Sequence, residues 1–134
     1  MLHHLSIAVA DIVRASQFYD AVLRPLGYVR VWSDETAVGY GYPTGGDKFA
    51  LKLQTKPFSP PPGGFHIAFS ATSLKSIEEF HSEALKHGGT DNGGAGLHSE
   101  YGDHYYAAFV VDPEGYRIEA TYNNKAEQVA AANP

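Results

Sequence analysis

Two stretches of this chain follow one plan, and any fold it adopts has to accommodate both. Residues 4–27 read HLSIAVADIVRASQFYDAVLRPLG and residues 66–89 read HIAFSATSLKSIEEFHSEALKHGG. Laid over each other at a constant offset of 62, without a gap, they match His4 with His66, Ile12 with Leu74, Phe18 with Phe80, Leu23 with Leu85 and Gly27 with Gly89. Each copy opens on a histidine, alternates in side-chain size, then turns to helical spacing. The chain is therefore built from two similar modules, each opening with a strand that feeds a helix.

In a strand, alternate residues face opposite sides of the sheet. His4, Ser6 and Ala8 share one face, and Leu5, Ile7 and Val9 the other. The second copy sets His66, Ala68 and Ser70 against Ile67 and Phe69. The bulky face packs under the helix that follows. Both histidines then stand among small residues on the far face, where two modules can bring two imidazoles to one cavity.

The remaining elements follow from turn signals and periodicity. The first strand spans about residues 3–10, and Asp11 caps a helix whose apolar stripe is Ile12, Ala15, Tyr19, Val22 and Leu26. Pro25 and Gly27 end that helix near residue 24. Strands are expected near 28–33, 36–42 and 48–54, which makes the first module, 1–56, βαβββ. PFSPPPGG at 57–64 cannot continue a sheet or helix and serves as linker. The second module, 65–123, has a strand at 65–71 and a helix at about 74–87 capped by Ser73 or Ser76, the latter at capping-box spacing from Glu79. A glycine-rich loop with a short strand is expected at 90–100, then a hairpin of 105–111 and 116–122 around the turn Asp112-Pro113-Glu114-Gly115. The tail, 124–134, carries little apolar content beyond alanines and is expected to fray. The fold class is α+β, one domain of two tandem βαβββ modules.

Composition narrows the chemistry. The absence of cysteine removes disulfides, thiolate metal sites and a thiol nucleophile together, so any metal is held by nitrogen and oxygen. A formal charge of −5 with no Lys/Arg cluster argues against nucleic acid and anionic membranes as partners. The N-terminal residues mix histidines and an aspartate into their apolar run, unlike a signal peptide, and no apolar stretch approaches membrane-spanning length. The expected location is the cytoplasm.

On the last strand Arg117, Glu119 and Thr121 share the face that Ile118 and Ala120 do not. If Ile118 packs under the helix, Glu119 joins His4 and His66 on the opposite side. Two imidazoles and a carboxylate suit Fe(II), Mn(II), Ni(II), Co(II) or Zn(II) and leave coordination positions open for substrate or water.

The stretch HLSIAVADIVRASQFYDAVLRPLGY, the opening HIAF and the ending DPEGYRIEA resemble the vicinal oxygen chelate superfamily of glyoxalases, extradiol dioxygenases and bleomycin and fosfomycin resistance proteins. The resemblance covers nearly the whole chain. It implies a cupped mixed sheet with helices on its outer face, a divalent metal, a small oxygen-chelating substrate, and His4, His66 and Glu119 as matches to the histidine, histidine and glutamate ligands. It also implies a homodimer whose sites each draw His4 from one chain and His66 with Glu119 from the other.

Two departures qualify that match. Glyoxalase I has a fourth ligand, a glutamate late in the first module, where the corresponding face here offers Lys48, Ala50, Lys52 and Gln54. Family members usually carry asparagine or histidine after the turn glycine, where this chain has Tyr116.

Other candidates surround the triad. Lys52 is either a solvated edge cation or, projecting into the cup, a contact for an anionic substrate or an ion-pair partner of Glu119. His98, Tyr101, His104, Tyr105 and Tyr106 form an aromatic, titratable cluster; one of the two adjacent tyrosines must face the cup, and a cup-facing Tyr or His can act as general acid or base. Trp32 is a rim candidate for substrate binding. The expected function is a metal-dependent, glyoxalase-like lyase or isomerase. The alternatives are an Fe(II) extradiol-type dioxygenase and a metal-free, ligand-sequestering protein of the bleomycin-resistance kind.

Overall fold

A computed structural model describes residues 1–123 of the chain. The expected tail, 124–134, lies outside the described residues. The element order is β1 (Leu5–Val9), α1 (Ile12–Leu23), β2 (Val29–Ser33), β3 (Ala37–Gly41), β4 (Phe49–Leu53), β5 (Ile67–Ser70), α2 (Leu74–Lys86), β6 (Thr90–Asp91), β7 (Gly96–Leu97), β8 (Tyr106–Val111) and β9 (Arg117–Tyr122). Single 3-10 turns follow α1 at Arg24–Leu26 and precede β8 at Ser99–Tyr101.

The strands form two sheets of the same design. The first has the order β1-β4-β3-β2 and the second β5-β9-β8-β6, with β7 also on β8. In each, the module's opening strand lies at one edge, parallel to the module's last strand: β1 on β4 and β5 on β9. The other ladders are antiparallel. The sequence repeat is thus a repeat of topology, and the α+β reading with two βαβββ units holds.

Both helices start and stop for local reasons. Asp11 caps α1 by accepting from the Arg14 amide at 3.0 Å. Pro25 closes α1 into the 3-10 turn, and Gly27, at φ 90°, takes the left-handed conformation that ends it. The N-cap of α2 is Ser73, and its reciprocal partner is Ser76 rather than Glu79: the Ser76 amide donates to Ser73 Oγ at 3.1 Å and the Ser73 amide donates to Ser76 Oγ at 3.3 Å. A serine at the third helical position reaches back as a shorter substitute for the usual Glu.

One continuous core joins the modules. Phe18, Tyr19, Val22 and Leu23 of α1 meet Ile77, Phe80 and Ala84 of α2 and the bulky faces of both sheets, including Leu51, Phe69 and Ile118. Phe49 of β4 and Phe69 of β5 pack edge to face at 5.1 Å. The bulky faces of β1 and β5 therefore do lie under the helices, which leaves the alternate positions for the open side.

The hairpin turn of β8 and β9 grips the start of the first module. Glu114 accepts from the amides of Ala10 and Asp11 at 2.6 and 3.0 Å, and buried Tyr19 donates to Asp112 Oδ2 at 2.6 Å. Tyr116, the departure after the turn glycine, is buried and donates its phenol to the Ala8 carbonyl at 2.6 Å. Its role is to tie the modules.

The glycine-rich loop carries two two-residue strands, where one short strand was expected. Between them the Asn92 amide donates to Phe109 O at 2.9 Å and the Phe109 amide to Gly93 O at 2.7 Å. Gly93, at φ 136°, passes so close over the Phe109 ring that a β-carbon would sit 3.1 Å from it. This segment is thereby held as one wall of the cleft described next.

Candidate functional site

The register of the second sheet assembles the site. Ala68 of β5 and Phe109 of β8 both lie opposite Glu119 of β9, so all three share the face turned away from α2. His66 precedes β5 on that same alternation. Its Nε2 lies 2.8 Å from Glu119 Oε1. The second carboxylate oxygen, Oε2, accepts from the Tyr105 hydroxyl at 2.7 Å. The imidazole side chain is 54% exposed and the carboxylate side chain only 2%.

A carboxylate this deep stays in place because both oxygens are engaged. Burial pushes the Tyr105 phenol above its ordinary range and the Glu119 carboxylate adds to the shift, so Tyr105 holds its proton and donates it to the hydrogen bond. The pair opens on a cleft of about 450 Å³ whose walls include Phe65, Asn92, Tyr101, Phe109 and Arg117. The Tyr101 ring stands 5.5 Å from Tyr105 and 6.0 Å from Phe109, an aromatic side to the cleft.

Of the residues singled out in the sequence, His66, Glu119, Tyr105 and Tyr101 come together here. His4 does not: it lines a different cavity with Lys48, Phe49, Ile67 and Ala68, and its Nδ1 lies 2.8 Å from that of His3. Among the described residues no group of three or more His, Cys, Asp or Glu is placed to hold a metal. Tyr106 lies on the helix side, opposite Tyr122 in the ladder and packed on the core, with burial and then Glu78 of α2 raising its phenol pKa. His104 sits half-buried in the turn before Tyr105 and does not line the cleft.

Lys52 and Trp32 belong to the open face of the first sheet. Lys52 lies opposite Ala8 and Ala37, and its Nζ stands 5.2 Å from the centre of the Trp32 ring. Within the chain, therefore, it meets an indole rather than Glu119. The indole lies flat over Gly39, where a β-carbon would come within 2.3 Å of Nε1.

Phe65, Asn92, Phe109 and Arg117 were not among the sequence candidates. Alternation alone supplies two of them, since Tyr105 and Phe109 are four apart on β8's line and Arg117 is two before Glu119. Asn92 enters through the loop geometry, which no local pattern encodes.

The donor types at the pair, an imidazole nitrogen and a buried carboxylate, fit a divalent metal of nitrogen and oxygen preference. One chain brings two such donors to this cleft and leaves the third, His4, at the other.

Comparison with known proteins bears on the whole arrangement. The family described as Glyoxalase/Bleomycin resistance protein/Dioxygenase superfamily matches residues 1–120. No curated protein matches the chain. Among solved structures, a glyoxalase/bleomycin resistance protein from Albidiferax ferrireducens T118 is 26% identical with a TM-score of 0.78, covering 91% of this chain and 98% of its own. A glyoxalase/bleomycin resistance protein/dioxygenase family enzyme from Burkholderia phytofirmans PsJN is 21% identical with a TM-score of 0.68, covering 92% and 98%. A glyoxalase I mutant from Zea mays is 18% identical with a TM-score of 0.70, covering 96% of this chain and 47% of that one. No helix among the described residues is long and apolar enough to cross a membrane. With two βαβββ units, a His–Glu pair on the open face of the second, and a family match spanning both, the chain belongs to the glyoxalase/bleomycin resistance protein/dioxygenase superfamily.

Proposed function

We propose that the protein is a divalent-metal-dependent, glyoxalase-like enzyme of the lyase or isomerase type, acting on a small molecule that chelates through two oxygens. The observation that carries this reading is the contact of His66 Nε2 with Glu119 Oε1 at 2.8 Å, on a carboxylate side chain only 2% exposed. A buried carboxylate in direct contact with a half-exposed imidazole, both lining one cleft, is poor packing and good ligation.

In this reading His66 and Glu119 of one chain and His4 of a second hold the metal, and the working unit is a homodimer. Bound there, Zn, Ni, Mn, Co or Fe supplies Lewis acidity toward the substrate oxygens. The chain's own part is positional. Tyr105 fixes the Glu119 carboxylate through Oε2 and keeps a proton beside it, while Glu119 accepts or returns a proton at the reacting carbon. Tyr101 and Phe109 hold the substrate body against one wall and reduce the access of water.

The second reading is a binding protein without chemistry. It is favoured by the separation of His4 from the other two ligand candidates within one chain and by the aromatic lining of the cleft. Elemental mass spectrometry on protein purified without chelator decides between them. Near-stoichiometric metal in the wild type and its loss in Glu119→Ala support the enzyme. Protein that neither carries metal nor takes it up when supplied returns the cleft to the binding reading.

A further inference from the structure

Strand register distributes charge unevenly over the two open faces. The first sheet presents Lys48 and Lys52 beside Ala50, Ala8 and Ala37, and the second presents Arg117 and Glu119. Lys48, just before β4, and Lys52 thus stand on one open face and Arg117 on the other, although the chain as a whole is acidic at −5. Lys52 is engaged with Trp32. Arg117 lines the same cleft as His66 and Glu119, and among the described residues no carboxylate lies within ion-pair distance of it.

Its guanidinium is directed to the rim. Nη1 passes 4.0 Å from where a Gly63 β-carbon would stand, in a gap that a glycine leaves open. The same cleft is lined by the rings of Phe65, Tyr101 and Phe109. Residues two apart on a strand have α-carbons about 7 Å apart, so the guanidinium and the His66–Glu119 pair are spaced to contact separate groups of one molecule. A planar guanidinium with no ion-pair partner among the described residues, in a cleft lined by aromatic rings, complements a flat molecule that carries an oxyanion at one end.

We infer that Arg117 is the recognition residue for a carboxylate on a planar, aromatic substrate whose other end reaches His66 and Glu119. The placement of that other end rests on the metalloenzyme reading; the contact with the anion does not.

The test compares 2-naphthoate with the neutral 2-naphthamide by isothermal titration calorimetry, on protein as purified and again after dialysis against EDTA. Wild type is expected to prefer the acid by about tenfold or more, as a charge-assisted, bidentate contact provides. The preference should be the same in both preparations, lost in Arg117→Gln, kept in part by Arg117→Lys, and unchanged in Arg24→Gln, an exposed residue of the 3-10 turn after α1. Circular dichroism of Arg117→Gln and Arg117→Lys establishes that both fold. Equal binding of acid and amide, no binding of either, or a preference that survives in Arg117→Gln overturns the inference. A preference that disappears with EDTA also overturns it, because the metal rather than Arg117 would then be reading the carboxylate. If the metal assay fails while the naphthoate preference holds, Arg117 still reads the anion and only the enzymatic reading falls.

Discussion

The phenol of Tyr116 donates to the carbonyl of Ala8 at 2.6 Å, across 108 residues of sequence. The same device appears once more, because Tyr28 donates to the carbonyl of Ser70 at 2.9 Å. Ala8 and Ser70 are matched by the repeat offset of 62, so equivalent carbonyls on the two opening strands each receive a tyrosine from the other module. The acceptors obey the repeat and the donors do not.

Tyr116→Phe should therefore weaken the joint between modules. Removing a buried donor and leaving its acceptor unpaired costs about 1–3 kcal/mol. Tyr28→Phe, at a half-buried site where water reaches the Ser70 carbonyl, should cost about 1 kcal/mol or less. Urea unfolding of both variants against wild type measures the difference, and a larger loss in Tyr28→Phe would contradict it.

Asp112 gives a pH signature. Burial raises its pKa above the ordinary 3.8, outweighing the lowering effect of the Tyr19 hydroxyl and the Tyr116 and Glu114 amides. A group with a raised folded-state pKa contributes its full stabilisation below the unfolded value and loses it as pH rises through the folded value. Wild type should thus lose stability relative to Asp112→Asn as pH climbs from about 3.8, with the difference level once Asp112 is ionised in both states. Urea midpoints of the two proteins at a series of pH values test the sign; a wild type that gains on the variant over that window would reverse it.

Gly39→Ala should displace the indole rather than unfold the sheet. The new β-carbon would collide with Trp32 Nε1, an atom at the end of a partly exposed side chain that can swing aside. Trp32 is the chain's only tryptophan, so its emission reports the event directly. A changed emission maximum, loss of the Lys52 contact and a thermal midpoint within a few degrees of wild type are expected. Unaltered fluorescence would mean that the indole does not rest on Gly39 in solution.

Ligand sharing between chains has its own test. His4→Ala and Glu119→Ala should each abolish metal binding alone. Refolded together in equal amounts, random pairing makes half the dimers mixed, each with one intact site in two, so about one quarter of the wild-type metal content returns. No recovery on mixing, measured by elemental mass spectrometry, would place all three ligands within one chain, and metal retained by His4→Ala alone would remove His4 from the site.

Much of this architecture is legible in the sequence because it is periodic. The repeat, the two helices and the facing of His66 and Glu119 follow from spacings of two and of three to four residues, and register carries them into the sheets unchanged. Alternation also separates Tyr105 from Tyr106, but only the ladder that sets Tyr106 opposite Tyr122 decides which one meets Glu119. His4 illustrates the opposite limit. Its face is readable and its neighbours are not, because the docking of one module on the other, through Phe49 and Phe69, determines which cavity it enters. Glu114 looks like an ordinary turn acid until the turn is seen closing on the amides of Ala10 and Asp11.

The carbonyls of Ala8 and Ser70 point outward from the unpaired edges of their sheets, since Val9 and Ala71 are the neighbours whose backbone groups bond inward to Gln54 and Thr121. An exposed strand edge is a template on which another chain can lengthen the sheet, and repetition of that event produces fibres. A strand adding at β1 or at β5 must first dislodge the tyrosine held there. The bonds that join the halves of the molecule also shield these two edges.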